Sequence, residues 1–157
     1  MKDVYRDSVD RMRRLPTSIE QAVSGLSDAQ LETPYGDGKW TIRQVVHHLV
    51  DAHINGYVRI RLVLTEENPT LKTYDQEAWA ELSDAKSMSI EPSLIAIRGI
   101  HERFCALLES LVDSDMDSTA SHPEVGQVTL GGLIQVYADH GDNHLGQIMK
   151  LKREKGW

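Results

Sequence analysis

The run from Ile42 to about Glu66 repeats apolar residues at 42, 45, 46, 49, 57, 60 and 64, with His53 filling the gap in the stripe. That spacing puts them on one face of a helix, and such a face is stable only when another apolar face covers it. Thr41 and Gln44 form a capping box that marks its start. A second stripe runs from Pro92 to about Val112, through positions 94, 95, 97, 100, 104, 107, 108 and 111. A third runs from about Leu130 to Glu154, with Thr129 as its N-cap. The first helical pattern, Val4 to Leu26, contains Pro16, and Thr17 with Glu20 resembles a capping box, so a restart or kink is expected there. Four long amphipathic helices with little strand signal predict an all-α fold, an antiparallel four-helix bundle with one long crossover, built as a single domain over 1–157.

The connections are uneven. Ser27 to Leu31 reads as a short turn of helix, and TPYGDGKW, with Pro34, Gly36 and Gly38, reads as loop. Between Asn68 and Glu91 the periodicity breaks: Pro69 ends the preceding helix, YDQEAWAEL suits a short helix, and Ser87 to Ser89 is featureless. A connection this long is either a plain crossover or a functional segment. SHPEVGQVTLG reads as irregular, with a small hairpin around Gly126.

Charge and cysteine usage remove several functions. With 17 Lys and Arg against 24 Asp and Glu, a formal charge of -7, the chain offers phosphate backbones no global attraction, so no nucleic-acid partner is expected. Cys105 is the single cysteine and lies in an apolar helical pattern, where it reads as a small buried hydrophobe; neither a disulfide framework nor a thiolate zinc cluster follows. The N-terminal run is charged and no stretch approaches the roughly 18 apolar residues of a membrane span. No membrane partner and a cytoplasmic location are the expectation.

Chemistry concentrates in the seven histidines. His140 and His144 are four apart on the last helix, so their imidazoles stack on one face and can converge on a cation. The pattern is not that of a zincin, because Gly141 occupies the place of the glutamate in HExxH. Gly141 and Gly146 each cost the helix roughly 1 kcal/mol against Ala, which close approach of a neighbour would justify. Upstream, His47, His48 and His53 are candidates for a third ligand. A helical wheel puts His53 near the middle of the apolar stripe and His47 and His48 beyond its edges, so the wheel favours His53. His101 and His122 have no partner at ligand spacing and read as structural or exposed.

The run WTIRQVVHHLVDAHINGYVRIRLVLTEENP, followed by YDQEAWAEL, YADHGDNHLGQI and a terminal GW, resembles the YfiT-like branch of the DinB superfamily from about Leu26 to Trp157. The resemblance implies a four-helix bundle, a homodimer, and one divalent ion per chain, zinc or nickel, held by three histidines. In that pattern the upstream ligand is the histidine just before leucine in HHL, His48 here, and the downstream pair falls on His140 and His144. His53 stays as the fallback. Asp51 and Asp139 are candidates to accept the second N–H of a ligand ring, against the plainer reading as solvated carboxylates. Asn55 and Arg59 share the side of His48 and suit an anionic substrate or thiol, although Arg59 equally suits an acid on a neighbouring helix. Trp40, Tyr74 and Trp79 match the family's aromatic positions, as pocket walls or as packing, while Glu66 and Glu67 read as a solvated helix end.

Three functions are consistent with these residues. The resemblance implies a metal-dependent hydrolase acting on a small molecule. Relatives that use low-molecular-weight thiols such as bacillithiol imply a thiol S-transferase instead, and a non-catalytic metal-binding bundle is the third. The sequence singles out no general base, which weighs modestly against hydrolysis, and assigns no catalytic residue beyond the metal ligands.

Overall fold

The computed structural model describes residues 3–157. Its long helices are α1 (Asp3–Val23), α3 (Ile42–Thr65), α6 (Glu91–Glu109) and α7 (Leu130–Lys155). Between them lie the short helices α2 (Asp28–Leu31), α4 (Gln76–Ala80) and α5 (Ser83–Ser87), and the strands β1 (Thr119–His122) and β2 (Gly126–Thr129). The four-helix bundle expected from the sequence is present. Around its ring α1 lies between α6 and α7, and so does α3. His53 of α3 meets His140 of α7 while Gly56 meets Tyr137, so these two helices are antiparallel. Val9 faces Cys105 and Met12 faces His101, so α1 and α6 are antiparallel too. By contrast Tyr5 meets Gly131 and Ala22 meets Lys152, which makes α1 and α7 parallel. His47 faces Ser93 and Tyr57 faces Phe104, which makes α3 and α6 parallel. Two parallel pairs therefore oppose each other, and the chain must run back the length of α3, about 36 Å for its 24 residues, before α6 begins.

That return is the expected crossover, and polar groups on the N-terminal half of α3 and just before it fasten it. Arg43, 5% exposed, pairs with Asp28 and Glu32 and donates to the Met88 carbonyl. Gln44 donates to the Ala80 carbonyl, and Trp40 Nε1 to Glu77. Asp75 caps α4 within the YDQEAWAEL run. The stretch expected to be featureless begins inside α5, whose end at Ser87 is followed by extended chain at Met88. Thr41 and Gln44 form the capping box read from the sequence, and Ser27 with Gln30 forms another at α2. β1 and β2 make the hairpin expected around Gly126.

One expectation fails. α1 is continuous through Pro16, so Thr17 is interior and caps nothing. Proline removes the N–H that would bond the carbonyl four residues back, here Met12. That carbonyl is instead taken by His101 Nδ1 at 2.6 Å, so the break in the ladder is repaired from a neighbouring helix.

The core falls into two apolar halves. Met12, Ile60, Phe104, Leu108, Leu130 and Ile134 fill one; Ile19, Ile42, Val45, Leu49, Ile97 and Ile148 fill the other. A layer of histidines crosses the bundle between them. Gly56 is required beside it, because a Cβ there would lie 2.5 Å from the Tyr137 ring. Gly141 is similarly crowded by Leu15, whereas Gly146 has nothing within 4 Å. Gly56→Ala is thus expected to lower stability by about 1–2 kcal/mol, overpacking outweighing helix propensity. Gly146→Ala is expected to raise it by up to about 1 kcal/mol. Urea unfolding of both variants checks the opposite signs. Cys105 is buried, as expected, with its thiol pushed up to about 11 by burial. Among the described residues no helix is long and apolar enough to cross a membrane.

Candidate metal centre

Where α3 and α7 run antiparallel, His48 comes level with the His140–His144 pair. One nitrogen from each of the three rings lies within 4.8 Å of the others. His48 Nε2 and His140 Nε2 are 3.0 Å apart, and the His48 and His144 ring centroids are 5.0 Å apart. His144 Nδ1 is 2.8 Å from Gln147 Oε1, so its Nδ1–H donates there and Nε2 is left bare. Burial lowers the pKa of all three, to about 3 for His48 and about 4 for His140, with each ring's neighbours adding to the effect for those two. The rings are therefore neutral donors at physiological pH.

His53, favoured by the helical wheel, is fully buried but stands behind this cluster. Its Nδ1 is 2.8 Å from His101 Nε2 and its Nε2 is 3.3 Å from His140 Nδ1, so both nitrogens are engaged. His101, 2% exposed, is a structural residue bonded to Met12 and His53. His47 ties the crossover down through Ser93 and the Met88 carbonyl.

Two cavities meet at His140 and Gln76. The larger, about 770 Å³, is lined by Arg59, Tyr74, Tyr137, His122 and Glu124 among others. The smaller, about 270 Å³, runs past Trp40, Lys39, Glu77 and His144. Trp40 is a wall as well as packing: its ring lies 4.5 Å from His48 and stacks on His144 at 6.2 Å. Tyr74 packs on Trp79 at the rim of the larger cavity. Arg59 donates to Tyr137 Oη and to the Lys72 carbonyl, and among the described residues no carboxylate pairs with it. Asn55 spends its amide on the Asp51 carbonyl of its own helix. Asp139 is held by Arg11 on the surface, away from the role considered for it. Asp51 is pushed up to about 6 by burial and by Asp84. Among the described residues no carboxylate is hydrogen-bonded to the three clustered rings.

A family model described as the DinB superfamily matches residues 11–148. The chain belongs to the DinB superfamily. A relative from Oceanobacillus iheyensis, named "putative metal-dependent hydrolase", is 43% identical over 154 residues, covering 98% of this chain and 89% of the relative. One from Bacillus cereus with the same name is 43% identical over 149 residues, 95% of this chain and 86% of its own length. YfiT from Bacillus subtilis is described as a probable metal-dependent hydrolase with an unusual four-helix bundle topology. It matches at a TM-score of 0.97 and 39% identity over 100% of this chain and 90% of its own. A further four-helix bundle protein shares the fold alone, at a TM-score of 0.62 and 16% identity.

In this DinB-superfamily chain, the sequence reading passed over Gln76, Tyr137, Gln147 and the His53–His101 contact. A signal for the last exists: both histidines interrupt apolar stripes, His53 on α3 and His101 between Ile97 and Phe104 on α6. Buried polar side chains need hydrogen-bond partners, and two of them on facing helices can supply one another.

Proposed function

We propose that His48, His140 and His144 hold one divalent cation per chain, zinc or nickel, and that the protein is a metal-dependent hydrolase of a small molecule. The observation that carries the cation is the 3.0 Å approach of two Nε2 atoms on neutral, buried rings with a third imidazole beside them. Without an ion one of these nitrogens carries its ring's proton and donates to the other; a cation in place of that proton would take both lone pairs at the same separation. Three neutral imidazoles suit zinc and nickel alike, and as uncharged donors they leave the ion's charge intact. Such an ion supplies Lewis acidity that makes water, or a thiol, acidic near neutral pH. The chain's own part is to shape the access: Trp40 shields one side, and Arg59 with Tyr137 and Tyr74 offers donors to the polar end of a substrate. Homodimeric assembly, carried by the resemblance, belongs to the same proposal.

A thiol S-transferase is the second reading, and one observation favours it: two cavities converge on His140, room for a thiol on one side and an electrophile on the other. Among the described residues no carboxylate is bonded to the rings, which fits the same reading, since a thiolate needs no general base once formed. The experiment runs zinc- and nickel-loaded protein against chromogenic esters and amides, and in parallel against a chromogenic aryl halide with bacillithiol, glutathione or coenzyme A. Metal-dependent cleavage without thiol, abolished by His140→Ala, is the expected result. Conjugation without cleavage would replace the hydrolase by the transferase, and neither activity would leave a metal-binding protein without turnover.

A further inference from the structure

We infer that Met12, His101, His53 and His140 form a one-way hydrogen-bond relay that fixes the tautomer of His140, with His53 and His101 as positioning residues for the cation site. The inference rests on the metal reading for its purpose, but not for its geometry.

The relay begins at a group that can only accept. The Met12 carbonyl lacks its usual helical donor because residue 16 is proline, and His101 Nδ1 lies 2.6 Å from it. A carbonyl has no proton to give, so His101 must carry its proton on Nδ1. Burial keeps this ring neutral, since a charged imidazolium with only neutral partners would be costly here. Its Nε2 is then bare and accepts, so the donor across the 2.8 Å contact is His53 Nδ1. The same logic passes through His53, fully buried and equally neutral: with Nδ1 protonated, Nε2 is bare. The 3.3 Å contact to His140 is then made by the Nδ1–H of His140. His140 is left with its Nε2 lone pair directed at His48 Nε2, 3.0 Å away.

One residue from each of the four long helices takes part, so the tautomer is set by the bundle's assembly and not by local sequence. A ligand imidazole ordinarily gives its second N–H to a carboxylate or carbonyl. Here two neutral rings, on α3 and α6, carry that function to a carbonyl on α1, which explains why Asp51 and Asp139 are not needed for it. His144 reaches the same state by the shorter route through Gln147. Without the relay His140 could place its proton on Nε2, and the lone pair would have to be regained before an ion could bind.

The test reads tautomers directly, by long-range 15N–1H correlation of histidine-labelled, metal-free protein. His101, His53 and His140 are each expected to show a protonated Nδ1 and a bare Nε2. An Nε2–H signal from His140 would overturn the inference. The second measurement is zinc affinity by chelator competition. His101→Leu, which removes the acceptor for His53, is expected to weaken zinc by about 10–100-fold and to give His140 a mixed tautomer. His101→Gln keeps an amide oxygen to accept from His53 and a donor for Met12, and is expected to restore most of that loss. Equal weakening in both, with His140 unchanged, would reduce His101 to packing. The two readings fail separately: wild-type protein that binds no zinc sinks the metal proposal, whereas the tautomers are observed without any metal.

Discussion

His140→Ala and His144→Ala are each expected to purify without the zinc or nickel that the parent chain carries at close to one ion. Losing one imidazole of three should cost about 3 kcal/mol or more of binding, on the order of 100-fold in affinity. Ions that survive dialysis in the parent would then be lost from the variants. His48→Ala should behave alike, because its Nε2 forms the 3.0 Å contact with His140. Asp139→Asn is the control: its carboxylate is 63% exposed and spent on Arg11, so full metal content is expected there. Elemental analysis after dialysis, with circular dichroism to confirm helix content, separates the outcomes. Full retention of metal in both α7 variants would remove these residues from the site.

The bundle was legible because its signals are local. The stripe of α3, the Thr41–Gln44 box and the turn at Gly126 each act within a few residues, and each appears in the structure. The upstream histidine was not legible in that way. A helical wheel assumes a single buried face, and here residues 42–50 of α3 are buried on every side, by α6 and α7 within the bundle and by α4 and α5 from outside. His48 could therefore be buried without lying on the stripe, and only the family resemblance pointed to it. Pro16 misled for a related reason. The sequence shows the donor that proline removes, while the donor that replaces it comes from His101, 89 positions away. Asp139 looked suited to support His140 as its chain neighbour, but consecutive helical residues point in different directions, and this one points to Arg11.

The same buried histidines should make metal-free protein sharply sensitive to acid. His48 is held down to about 3, and His101 and His140 to about 4, chiefly by burial; His53 too is held well below its ordinary value by burial and by the rings around it. In the unfolded chain each returns to about 6.5. Between those values the unfolded state binds protons that the folded state refuses, so stability is complete above about pH 6.5 and falls as pH falls. Asp51 acts in the opposite sense: raised to about 6, it takes up a proton in the folded state before the unfolded chain does, and offsets one histidine down to about pH 4. From these five groups a net of about three protons near pH 5 corresponds to a loss of about 4 kcal/mol per pH unit, and His47 and His144, also lowered by burial, add to it in the same sense. Against a typical domain stability of about 5–15 kcal/mol, that slope unfolds the metal-free chain well before its carboxylates are all protonated. Urea midpoints measured with a chelator at about pH 7.5, 6 and 5 check it, and His101→Gln should flatten the slope by about 1.4 kcal/mol per unit. Saturating zinc binds the folded state alone and should shift the whole profile to lower pH. A stability that stays level from pH 7 to 5 without metal would mean that these rings are charged or solvated in solution, and neither is compatible with a layer of neutral donors between two apolar halves.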